Sequence, residues 1–223
     1  MEVVGLKIVV VGLAATHAFW GLSLLLDPGR YVFKPIIPIL LALIHLVIFL
    51  LLLTKERYGA LLGSSLLTYY WFFVKPREPI AEPQTVGILG ITLSLLTEYL
   101  PKISLEKSRL MRDVLLRLGL AYPFIEWGLD AFRNPLHFKS YLSSNFLTSH
   151  LIPAGLLDSI VLCLAFFEVA LASLILAGVV RRAVSFLTFL VLAVFSVVAG
   201  YPLALPQNIV LMAVAYIWLK PSF

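Results

Sequence analysis

The chain is 223 residues long, 61% hydrophobic and only 13% charged, with a mean hydropathy of +1.00 and a net charge of +5. That balance excludes an ordinary soluble domain, and a modest positive charge fits a face beside anionic lipid, with nothing to point to nucleic acid. A single cysteine, Cys163, excludes an intrachain disulfide or a dithiol relay.

Eight apolar runs predict membrane-spanning helices over residues 6–26, 36–53, 58–74, 86–100, 114–132, 156–177, 183–199 and 206–219. Each has about 15–20 residues, close to the length that crosses a hydrocarbon core. The first run carries Gly12-Leu13-Ala14 and Trp20-Gly21-Leu22, and Asp27-Pro28 and Tyr31 follow it. It is too long for the core of a cleavable leader and lacks a small-residue cleavage site. His17 lies inside this run and His45 inside the second. The third holds Gly59 and Gly63 at the spacing of a close helix contact. Its end, with Tyr69, Tyr70, Trp71 and Lys75, reads as an interfacial aromatic belt. The fourth is short and is entered through Pro83-Gln84.

A basic segment, 102–113, precedes the fifth run, where the pattern of the first returns: Gly119-Leu120-Ala121, Trp127-Gly128-Leu129, Asn134-Pro135 and Phe138, all offset by 107 residues. Pro123 frees the carbonyl of Gly119 within this helix, which also carries Glu126. Asn134-Pro135 predicts the start of a surface helix with Leu136, Phe138, Tyr141, Leu142 and Phe146 as its apolar face. The sixth run contains Cys163, read as a small core residue, and Glu168. The eighth is short like the fourth, is entered through Pro206-Gln207 and Asn208, and ends in Tyr216, Trp218 and Lys220, a second aromatic belt. From Ala60 and Ala183 onward the offset is 123, so one insertion of 16 residues after Phe138 accounts for the change.

The chain therefore reads as an all-α membrane protein of eight transmembrane helices in two parallel four-helix repeats: 1–101, a basic linker 102–113, and 114–223. Four helices per repeat bring both repeats into the membrane from the same side. With both termini in the cytoplasm the inner segments hold eleven lysines and arginines and the outer loops six, which favours that orientation in the cell membrane.

Ionisable side chains inside a bilayer are expensive, so His17, His45, Glu126 and Glu168 are the candidates for chemistry. His45 and Glu168 occupy matching positions at the offset of 123, and His17, His45 and Glu168 fall near one depth by residue counting. Glu126 lies nearer the outer side, and the four can share one polar centre able to exchange protons, with Glu168 and His45 as the leading pair. Hydrogen bonding across helices, with no chemistry, is the alternative reading of the same residues. A bis-His haem has only the similar depth of His17 and His45 in its favour. No ligand spacing predicts a metal.

The second half carries Leu116-Arg117-Leu118-Gly119-Leu120, Trp127-Gly128, Asn134-Pro135, Glu168, Gly178 before Arg181-Arg182, and Asn208. In these it resembles the DoxX/DoxD-like membrane proteins, over about half the chain, and the first half reads as a more diverged copy. The chain departs from that pattern at Ala131, where members often carry a lysine. The resemblance implies a membrane subunit of a quinone-linked oxidoreductase, similar to thiosulfate:quinone oxidoreductase, working with a redox partner subunit. In that picture Glu168 and His45 are the proton-exchanging pair near a quinone pocket, Arg117, Arg181 and Arg182 form a cytoplasmic rim, and Arg117, Trp127, Gln84, Gln207 and Asn208 are the candidate cofactor contacts. Two other readings stand beside it. A transporter of small solutes or lipids would present the amides of Gln84, Gln207 and Asn208 at helix N-termini. A non-catalytic scaffold would use every polar residue for packing.

Overall fold

The computed structural model describes residues 2–28, 36–74, 82–100 and 104–219. The predicted features at Tyr31, Lys75 and Lys220 lie outside them. The described residues are helical: α1 (Glu2–Leu26), α2 (Ile36–Thr54), α3 (Glu56–Tyr69) continued by a π-helical stretch Tyr70–Val74, and α4 (Glu82–Leu96) with a 3-10 turn Thr97–Tyr99. Then come α5 (Leu105–Arg133), α6 (Pro135–Ser144), α7 (Phe146–Leu151), α8 (Leu157–Ala177), α9 (Arg181–Leu203) and α10 (Leu205–Leu219).

Local chemistry sets several of the boundaries. Ser104 caps α5 by accepting from the Lys107 amide at 3.4 Å. Gly178, at φ +67°, closes α8 in the left-handed conformation that a side chain disfavours. Pro135 opens α6 as predicted, but Asn134 does not cap it: its amide donates back to Asp130 at 2.7 Å. The predicted surface helix also breaks at Asn145, whose side chain accepts from the amides of Leu147 and Thr148 and so starts α7. Its apolar face splits accordingly. Leu142 is buried and Phe138 and Tyr141 pack beside it, while Leu136 and Phe146 remain exposed.

Among the described residues four helices are long and apolar enough to cross a membrane: Gly5–Leu26, Ile37–Thr54, Ala154–Ala177 and Arg181–Ala199. The eight predicted spans are thus reduced to four on length and composition. The runs in α4 and α10 reach only 15 helical residues, α3 opens on Glu56 and Arg57, and α5 is interrupted by Arg117, Glu126 and Asp130. The surface agrees with a lipid solvent. Leu40, Leu50, Phe72, Phe166, Leu190 and Val197 face outward, whereas Thr16, His17, His45, Thr92, Gln207 and Asn208 are buried. Cys163 is exposed on α8 and is not the core residue its sequence predicts.

The helices pack in a closed circuit, α1–α2–α3–α4–α5–α8–α9–α10 and back to α1, with α4 and α10 also touching across it. The tightest seams rest on glycines, and they recur. Gly12 of α1 meets Val210 and Ala213 of α10; Gly119 of α5 meets Gly87 and packs beside Gly90 of α4. Gly21 meets Ala42 and Leu46 of α2; Gly128 meets Ala165 and Val169 of α8. Every partner in one member of each pair stands 107 or 123 residues from its partner in the other.

Candidate functional site

A buried polar chain begins on α1. His17 and His45, both fully buried, face each other through their Nδ1 atoms at 2.8 Å. The Nε2 of His45 meets the Tyr70 hydroxyl at 2.8 Å. Tyr70 is only 1% exposed, so it is no part of the aromatic belt that Tyr69, Trp71, Phe72 and Phe73 form outside it. It is the first residue of the π-helical stretch, where widening turns the backbone and separates Tyr70 from its exposed neighbours. Trp20 closes the cluster, edge-on to both imidazoles with ring centres 5.7 and 5.5 Å away.

One atom of this chain is unsatisfied. His17 Nε2 is buried and has no hydrogen-bond partner. It points toward Gly63, where an added Cβ would stand 3.5 Å from Nε2 and equally far from side-chain carbons of Ile48 and Thr92. The glycine predicted as a helix contact therefore leaves a methyl-sized gap against a bare imidazole nitrogen. Hydrogen bonding allows two directions along the chain. In one, the Tyr70 hydroxyl donates to His45 Nε2, His45 Nδ1–H donates to His17 Nδ1, and His17 keeps its proton on Nε2. In the other, His17 Nδ1–H donates to His45, His45 Nε2–H donates to the Tyr70 oxygen, and His17 Nε2 is an open acceptor. Interconversion releases the His17 Nε2 proton and takes one up at the Tyr70 oxygen, so one proton passes along the chain without moving a heavy atom.

A second cluster adjoins it. The Trp20 indole N–H donates to Gln207 Oε1 at 3.3 Å, and Gln207 Nε2 donates to Gln84 Oε1 at 3.4 Å. Thr16 donates to the carbonyl of Pro206 at 2.7 Å. The two glutamines therefore join α4 to α10. Asn208 donates to the Leu192 carbonyl at 3.3 Å and to Ser196 at 3.1 Å, leaving its own Oδ1 buried without a partner.

The remaining predicted residues lie elsewhere. Glu168 is buried on α8, its Oε2 without a hydrogen bond, and it is not among the partners of His45. The pairing found for His45 is with His17 and Tyr70, so the two histidines alone of the four candidates are joined. Glu126 is half-buried, as is Trp127, which sits edge-on to Phe124 and Phe195. Of the predicted rim, Arg117 and Arg181 both bond Asp113, at 2.6 and 2.7 Å, and Arg181 also lies over the Trp218 ring. Trp218 is thereby buried, whereas its sequence predicts a belt residue. Arg182 is exposed. Among the described residues no group of His, Cys, Asp and Glu is arranged to hold a metal ion.

Tyr70 is the functional candidate that sequence reasoning missed. It stands inside an aromatic run, with Tyr69 before it and Trp71, Phe72 and Phe73 after it, and that run hid the one ring that turns inward. No family model, curated protein or solved structure matches the chain.

Proposed function

We propose that the protein is the membrane subunit of a quinone-linked oxidoreductase in which His17, His45 and Tyr70 exchange protons with the quinone. The observation that carries this reading is the buried His17–His45–Tyr70 chain ending on a bare Nε2. Reducing a quinone to a quinol takes two electrons and two protons. A hydrogen-bonded imidazole chain supplies protons to a site that water does not reach. The electrons come from a partner subunit, because a single cysteine gives this chain no dithiol of its own. The resemblance of the second half to DoxX/DoxD-like proteins supports both the substrate class and the partner. In this reading the chain lies in the cell membrane as two parallel repeats with both termini in the cytoplasm. The recurring glycine seams support the repeats. Glu168, alone in the second half, is a further proton-exchanging candidate at the position that matches His45.

The experiment begins with purification of the full chain from its native membranes in mild detergent, and identification of any stoichiometric redox subunit. Quinone reduction by that complex is then compared with Tyr70→Phe and Gly63→Ala. Tyr70→Phe removes the hydroxyl that meets His45, and Gly63→Ala fills the gap at Nε2 with an added Cβ at ordinary contact distance. Each should lower turnover at least about a hundredfold, the lower end of what general acid–base groups contribute. Unchanged turnover in both variants rules out the chain as the proton path.

A non-catalytic scaffold is the second reading, and one observation favours it: Trp20, Gln207 and Gln84 satisfy one another in the seam between α1, α4 and α10. The same pairing occupies the amides that a transporter would offer to solute. In a scaffold, the two variants would alter thermal stability only.

A further inference from the structure

A cavity of about 510 Å³ opens at the end of the bundle where α1 starts, α2 turns into α3, α4 ends and α5 begins. Its walls combine three chemistries. Leu6, Leu100 and Leu105 are apolar, Thr97 and Ser108 are polar, and Lys7, Arg109, Arg112, Glu56 and Glu98 are charged. The volume lies in the range of small-molecule sites.

The charges are not equivalent. Arg112 is 7% exposed and forms an ion pair with Glu98, so these two largely neutralise each other. Ser108 donates to the Thr97 carbonyl at 2.9 Å, which ties α5 to the end of α4 and fixes that wall. Glu56 differs. Its Oε1 is buried and has no hydrogen-bond partner. Burial, and then the nearby Glu98, push its carboxyl above the usual carboxylate range. A cation or N–H donor brought to this oxygen relieves both effects. Lys7 and Arg109 line the same cavity and add positive charge suited to an anionic group.

The lining therefore suits a molecule that carries both an ammonium and an anion, with an apolar part for Leu6, Leu100 and Leu105. It lies at the helix ends, the level of lipid headgroups. We propose that this cavity binds the headgroup of an amino phospholipid, the ammonium at Glu56 and the phosphate at Lys7 and Arg109.

The test is native mass spectrometry of the full chain in mild detergent, titrated separately with phosphatidylethanolamine, phosphatidylcholine and phosphatidylglycerol. Phosphatidylethanolamine should bind at least about tenfold more tightly than phosphatidylcholine, whose quaternary ammonium has no N–H to donate. Glu56→Gln should abolish that preference. Lys7→Gln, at an exposed position in the second turn of α1, should weaken all three lipids alike. Equal retention of phosphatidylethanolamine and phosphatidylcholine overturns the proposal, as does a preference unaffected by Glu56→Gln. Displacement of the lipid by millimolar inorganic phosphate alone also overturns it, because the site would then read phosphate and not a headgroup.

Discussion

A buried imidazole must find a partner or carry a cost, and the comparison of His17 with Phe124 measures that cost. Phe124 stands 107 residues after His17, is fully buried, and lies edge-on to Trp127 at 5.8 Å as His17 lies edge-on to Trp20 at 5.7 Å. An aromatic ring of that size suits the position, so His17→Phe changes hydrogen bonding more than volume. It leaves His45 Nδ1 buried and unpaired, at about 1–3 kcal/mol. Thermal unfolding in detergent should therefore fall by several degrees. The triple variant His17→Phe/His45→Leu/Tyr70→Phe removes every member of the chain and should recover most of the loss, because the penalty belongs to the orphan and not to the pair. A triple variant no more stable than the single would place the cost in packing instead. The site residues were legible to this extent: His17 and His45 stand out in any reading of an apolar chain. Their direct contact was not, because depth along a helix says nothing of the direction in which a side chain points. For the same reason Glu168 shares a position with His45 and yet none of its partners.

At the scale of the helix, small residues decide how closely backbones approach. An added Cβ at Gly119 would stand 2.6 Å from the Gly87 carbonyl and 3.0 Å from the Ile91 amide. Both are backbone atoms of α4, which cannot give way as a flexible side chain does. Gly119→Ala should therefore push α4 and α5 apart, at about 1–3 kcal/mol. Gly155, with nothing within 4 Å of an added Cβ, is the matched control and should tolerate alanine. A comparison of the two melting curves checks this, and equal curves would mean that the seam relaxes freely. The helices themselves were largely readable from the sequence, since apolar runs of membrane length have few other folds. Their boundaries were less so. The π-helical stretch at Tyr70–Val74 and the break at Asn145 depend on where side chains find partners, which periodicity does not reveal.

For the whole molecule, the circuit of helices makes each half depend on the other. α1 packs against α10 and α4 against α5, so the strongest seams outside each half lie between its ends and those of the other. Lipid replaces apolar contacts across such seams at little cost, because its chains are as apolar as leucine. It offers no acceptor for the Trp20 indole N–H and no partner for Gln84 or Gln207, which meet only when the halves meet. Severing the chain within residues 101–103 should leave these demands in place, and the two halves should find each other without the linker. Co-expressed as separate polypeptides, residues 1–101 and 102–223 should co-purify at equal stoichiometry from mild detergent through a tag on either one. Gly119→Leu, which blocks the α4–α5 seam, should reduce the recovered partner severalfold, since a leucine meets the same backbone atoms with three more carbons. Halves that purify separately with their helical content intact would show that each seals its own polar surface. The glutamine bridge would then be a consequence of tethering and not a cause of assembly.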